Sequence, residues 1–170
     1  KKPHQYIYNA FIQAVCYRGI ERNASSQIEA KDIIGPIAEQ IKEACQFVYR
    51  NMKIYAEKSP GRIDHPEYSM NAIFEAIVNA VAHRNYSITG SKIRLHMFSN
   101  RLELFSPGSI PNTIDIDAMA ERQFSRNEIL TSFLARSPLN VEHVDTRRQY
   151  LMDKRGEGVP IILLESEKVS

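Results

Sequence analysis

Cysteine is scarce in this chain: Cys16 and Cys45 stand alone, with no Cys-x-x-Cys pair and no histidine at metal-ligand spacing. That excludes a disulfide framework and a structural zinc site, and it suits a reducing compartment, so a cytoplasmic location is expected. No apolar run approaches the roughly 20 residues needed to cross a bilayer, and Lys1-Lys2-Pro3 does not lead into the hydrophobic stretch of a signal peptide, so no membrane partner is expected. A dominant charge is also missing. The 22 basic and 20 acidic residues leave a formal charge of +2, which lacks the footprint of a strong nucleic-acid binder. Internal repeats and low-complexity tracts are absent as well.

What is present is an ordinary globular composition, 43% hydrophobic and 25% charged over 170 residues. This is enough for one domain, residues 1–170, with a substantial core. The first residue is not Met, so a fragment of a longer chain is expected.

Tyr8 to Tyr17 is dense in β-branched and aromatic residues and ends at Arg18-Gly19, which predicts a strand. A second strand is expected from Ser26 to Ile33, stopping at Gly35-Pro36. Ile37, Ile41, Ala44, Cys45, Val48, Met52 and Tyr55 recur at helical spacing and predict a helix to about Ala56. Ser59-Pro60-Gly61-Arg62 breaks that pattern, and His65-Pro66-Glu67 is expected to open a helix ending near Tyr86. Ile93, Leu95 and Met97, then Leu102, Leu104 and Phe105, predict a hairpin running into the Ser106-Pro107-Gly108-Ser109-Ile110-Pro111 loop. Ser125 or Asn127 would cap a helix through Ile129, Phe133 and Leu134. Ser137 to Lys154 has no clear period and is expected to be mobile. An apolar segment from Val159 to Leu164 is expected to be helical.

The second helix carries the chemistry. At roughly 100° per residue, Glu75, Asn79, His83 and Tyr86 fall within about 80° of one another, while Met70, Ile73, Phe74, Ile77, Val78 and Val81 occupy the opposite arc. Burying ionisable groups is costly unless they are paired or face a solvated cleft, so this stripe is expected to line a cavity. A solvated helix face is the competing reading. His83 is equally suited to capping the helix end, where positive charge meets the dipole favourably.

Four segments in fixed order resemble a prokaryotic family. They are Glu75-Ala-Ile-Val-Asn79-Ala-Val-Ala-His83-Arg84-Asn85-Tyr86, Leu102-Glu-Leu-Phe-Ser106-Pro107-Gly108, Ser125-Arg126-Asn127, and Arg155-Gly156-Glu157-Gly158-Val159-Pro160. The family comprises transcriptional regulators labelled ATP-dependent DNA-helicase-related, whose GHKL-like (HATPase_c_4-type) module follows a Schlafen-type AlbA_2 domain. The resemblance implies an α+β two-layer sandwich of the Bergerat (GHKL) type, a mixed sheet with helices on one face. It also implies ATP and Mg²⁺ as ligands, with Asn79 giving a side-chain oxygen to the metal and Glu75 acting as the catalytic group that orients or deprotonates water. Gly156 and Gly158 would admit phosphates, with Lys154 and Arg155 adding positive charge. His83, Ser106 and Gly108 would line the nucleotide, and the intervening segment would form a lid.

One departure matters: active ATPases of this fold carry an adenine-recognising aspartate where this sequence offers Phe105 or Ser106, so weak hydrolysis is the most that is expected. Nucleotide is the expected partner, with DNA reached through other domains of the full chain and a homodimer admissible. The rival reading is a structural or dimerisation domain with a degenerate, ligand-free site. Arg147, Arg148, Lys154 and Arg155 read first as a solvated run, and DNA contact by this segment itself ranks last.

Overall fold

The computed structural model describes residues 2–58, 62–109, 125–144 and 148–152, together with Pro160, Ile162 and Leu164. Among the described residues the named elements follow in the order β1 (Ile12–Tyr17), β2 (Gln27–Ile33), α1 (Ile37–Asn51), β3 (Ile54–Lys58), β4 (Arg62–Pro66), α2 (Met70–Ala82), β5 (Ile93–Met97), β6 (Leu102–Phe105) and α3 (Glu128–Leu134). A four-stranded sheet runs β2-β1-β5-β6, and β3 and β4 form a separate two-stranded sheet. β1 lies parallel to β5, whereas β2 and β6 are antiparallel to their neighbours, so the sheet is mixed as expected.

Alternation along the strands sorts the two faces. Ile12, Ala14 and Cys16 of β1 and Ile93, Leu95 and Met97 of β5 join one core with Ile41, Ala44, Phe47 and Val48 of α1 and Ile73, Phe74, Ile77, Val78 and Val81 of α2. Val15, Tyr17 and Phe98 pack separately on the opposite face, with the Tyr17 and Phe98 rings stacked at 5.1 Å. Both long helices therefore cover one side of the sheet, the α+β arrangement expected for a GHKL-like module. Burying each large apolar side chain contributes about 1.5–3 kcal/mol, so this helix–sheet layer dominates stability.

Boundaries between α1 and α2 differ from the sequence expectation. α1 ends at Asn51, with Met52 at its C-cap, and the chain enters β3 rather than continuing to Ala56. Ile54 and Tyr55 prefer strand and pair with Pro66 and His65 across the β3–β4 hairpin. Pro66 thus ends a strand instead of opening a helix. α2 begins at Met70, capped by Ser69, whose Oγ accepts from the Ala72 N–H at 3.4 Å. The Ser59-Pro60-Gly61 turn lies outside the described residues.

The stretch after α3 is not the mobile connection expected, among its described residues. Leu139 N donates to Gln149 O and Leu151 N to Ser137 O, each at 2.9 Å, and Pro138 bridges Tyr150. Leu151 is buried in the main core. The His143 ring stacks on Tyr49 of α1 with centroids 3.6 Å apart. Pro160, Ile162 and Leu164 are helical, in keeping with the apolar segment predicted there.

Candidate functional site

α2 has the composition of a helix packed on nearly all sides, since ten of its thirteen residues are buried. Glu75 is among them, only 3% exposed. Its Oε1 lies 2.7 Å from Arg148 Nη1, and the two side chains are 4% and 16% exposed. A pair this sheltered is screened little by solvent, and removing either partner alone leaves a buried charge that costs about 3–5 kcal/mol. Arg148 therefore does not belong to a solvated run. Among the described residues, pairing with Arg148 is what meets the energetic requirement of burying Glu75.

Asn79, one turn on, is half-buried, and its side chain makes no hydrogen bond among the described residues. An amide oxygen in that state suits Mg²⁺, which takes oxygen ligands and keeps several waters or phosphate oxygens in its shell. Among the described residues no group of three or more His, Cys, Asp or Glu could hold a metal.

The helix ends earlier than its sequence pattern, at Ala82. His83 is the C-cap, its N–H bonded to Asn79 O at 2.9 Å. Burial first, and then the nearby Arg126 guanidinium, push the His83 imidazole below its ordinary value. Tyr86 falls beyond the helix and leaves the stripe: its hydroxyl turns back to donate to Val81 O at 3.1 Å. Burial pushes that phenol up to about 12, with Arg84 opposing.

Two of the other recognised segments converge on this helix end. Ser106 Oγ donates to Ala80 O at 2.6 Å, and Asn85 N donates to Pro107 O at 2.7 Å. Gly108 sits at φ +133°, where an added Cβ would run into the Arg126 guanidinium and come within 3.1 Å of Asn85 Cβ. Arg126 also donates to Ser109 O. Asn127 occupies the N-cap position of α3 without capping it. Its side-chain amide donates instead to Ala82 O and Arg84 O, both at 2.8 Å. Three of the four sequence segments therefore meet around the C-terminal half of α2. Lys154, Arg155, Gly156 and Gly158, which carry the fourth, lie outside the described residues.

Sequence reasoning gave no role to Arg84, which is 1% exposed. Its guanidinium donates to the carbonyls of Asn9, Asn85, Ile88 and Ser91, at 3.4, 3.3, 3.1 and 2.7 Å, and lies over the Tyr86 ring. It ties the end of α2 to the N-terminal segment and to the loop leading into β5. Ser106 likewise has its proton committed to a helix carbonyl, so it meets an adenine only as an acceptor. Phe105, the other residue at that position, is 43% exposed and lies beneath the Arg94 guanidinium at 4.2 Å.

Residues 90–170 match the family model described as "Putative ATP-dependent DNA helicase recG C-terminal". The matched stretch contains β5, β6 and α3, and stops short of α2 with Glu75 and Asn79. Among solved structures, the DIP2311 protein from Corynebacterium diphtheriae is similar, with a TM-score of 0.71 and 18% identity over 92% of this chain and 30% of that one. The likeness is one of fold, and the chain spans less than a third of that protein. No curated protein matches the chain. The fold these findings support is α+β with a mixed four-stranded sheet, compatible with a GHKL-like ATPase fold. Among the described residues no helix is long and apolar enough to cross a membrane.

Proposed function

We propose that the chain is a nucleotide-binding regulatory module of a prokaryotic transcriptional regulator, with ATP and Mg²⁺ as its ligands and weak hydrolysis at most. The observation that carries this reading is the half-buried Asn79 amide, with no side-chain hydrogen bond among the described residues, one turn from the buried Glu75, on a helix whose end gathers the Ser106–Gly108 loop and the Ser125–Asn127 segment. Asn79 would hold Mg²⁺ against the phosphates, and Glu75 would orient the attacking water. His83, Ser106 and Gly108 would line the nucleotide. Lys154, Arg155, Gly156 and Gly158 would meet its phosphates. DNA would be contacted through other parts of the full protein.

Two observations favour a second reading, a structural domain that has lost its ligand. Glu75 is committed to Arg148, and the Ser106 hydroxyl to Ala80. Thermal unfolding with and without Mg²⁺-ATP separates the two. Saturation at a hundred times Kd stabilises the native state by about 2.7 kcal/mol, which raises Tm by several degrees in a chain of this size. Asn79→Ala is expected to abolish that rise. An unchanged Tm with every nucleotide tried leaves only the structural reading.

A further inference from the structure

We infer that His83 is a second protein ligand of the metal held at Asn79, and that the site therefore binds first-row transition ions more tightly than Mg²⁺. The inference rests on the nucleotide reading and concerns the metal of that same site. Its starting point is what each member of the Glu75, Asn79, His83 and Tyr86 stripe does in the folded chain. Glu75 is buried and paired with Arg148. Tyr86 turns its hydroxyl back to Val81 O. Asn79 and His83 are half-buried, neither side chain makes a hydrogen bond among the described residues, and the polar atoms of both remain open to solvent.

Their spacing lets one ion reach both. The His83 N–H still closes the helical bond to Asn79 O at 2.9 Å, so the two residues keep the i, i+4 relation in which side chains on a helix meet, with Cβ atoms about 5–6 Å apart. Two metal ligands on one helix face at this spacing are a recurrent arrangement. An amide oxygen and an imidazole nitrogen make a mixed set. Mg²⁺ is a hard ion that takes oxygen ligands, whereas imidazole nitrogen suits later first-row ions, whose affinity for a given site rises from Mn²⁺ to Co²⁺. The Arg126 guanidinium lies near His83 and opposes a bare cation, while the negative charge of a phosphate chain offsets it. Metal and nucleotide are therefore expected to enter together.

The test is a calorimetric titration of the wild-type chain, His83→Ala and His83→Gln with the ATP complexes of Mg²⁺, Mn²⁺ and Co²⁺. The wild type is expected to bind the Co²⁺ complex about tenfold or more tightly than the Mg²⁺ complex, with Mn²⁺ between them. Both variants are expected to bring that ratio below about threefold while keeping most of the affinity for the Mg²⁺ complex. Neither substitution removes a side-chain hydrogen bond of the fold, so both chains are expected to fold. A second readout does not depend on affinity: electron spin echo modulation of bound Mn²⁺-ATP is expected to show coupling to an imidazole nitrogen in the wild type, absent from both variants. A histidine that only lines the nucleotide leaves no such coupling. Equal ratios in the three chains, or a wild type without nitrogen coupling, overturn the inference and leave the nucleotide site standing. A loss of affinity in both variants that is the same for all three metals marks a residue that contacts the nucleotide alone, and overturns it too. If the wild type binds none of the three complexes, the nucleotide reading itself fails, and this inference fails with it.

Discussion

Asn127 donates its side-chain amide to the carbonyl of Arg84, forty-three residues earlier, at 2.8 Å, and to Ala82 O at the same distance. The last carbonyls of a helix have no partner within it, so this one side chain closes the end of α2 from a different element. Asn127→Ala is expected to lower stability by about 1–3 kcal/mol, the cost of leaving buried acceptors unpaired. Asn127→Asp is expected to cost more, because it sets a negative charge against the negative end of the helix dipole. Urea denaturation checks both, and an unchanged midpoint for Asn127→Ala would mean that water or another group satisfies these carbonyls.

Gly108 and Gly19 form an internal comparison. Gly108→Ala is strained at φ +133° and collides with Arg126, so a loss of about 1 kcal/mol or more is expected. A Cβ at Gly19 would meet nothing within 4 Å, and Gly19→Ala is expected to fall within about 0.5 kcal/mol of wild type. Equal effects at the two sites would show that the Gly108 loop is not held against the helix end in solution.

Arg84 gathers four backbone carbonyls around one buried cation. Arg84→Lys keeps the charge but cannot reach the carbonyls of Asn9, Asn85, Ile88 and Ser91 together. A loss of about 2 kcal/mol or more is expected in chemical denaturation, far above the typical surface substitution. A near-neutral Arg84→Lys would mean that fewer of these bonds matter.

Much of the scaffold was legible in the sequence, and the reasons it was legible explain what was not. β5 and β6 follow from the alternation of Ile93, Leu95 and Met97 and of Leu102 and Leu104, and α3 from its short apolar pattern. The end of α1 was misplaced because Met52 and Tyr55 continue a helical spacing by chance, while Ile54 and Tyr55 also suit a strand and find partners in β4. Pro66 looked like a helix opener because proline fits both a first turn and the end of an exposed strand. Ser125 or Asn127 was expected to cap α3; Asn127 holds the N-cap position without a capping hydrogen bond, and its amide serves the end of α2 instead. Nothing local signals the pairing of Arg148 with Glu75, or of Arg84 with four separate carbonyls: such partners are set by tertiary approach, and any charged residue in a polar stretch first resembles a solvated one.

His83 makes the site sensitive to acid. Burial and Arg126 lower its pKa in the folded chain, so below the ordinary value near 6.5 the unfolded chain takes up the proton first. The stability this group contributes is complete above that pH and is lost as pH falls through the folded value. His96 is shifted the same way, by burial and then by Arg22 and Arg94, and adds to the effect. NMR titration of the imidazole protons should find both below the ordinary value, and Arg126→Gln should raise His83 while leaving His96 in place. A His83 titration unmoved by Arg126→Gln would contradict the proximity of the two groups.

The most direct measurement is the calorimetric titration of Mg²⁺-ATP into the wild-type chain and into Asn79→Ala, repeated without the metal. The expected result is saturable binding to the wild type that weakens when Mg²⁺ is withheld and disappears in the variant. Binding that is absent from the wild type, or that survives in Asn79→Ala undiminished, contradicts a nucleotide site on α2.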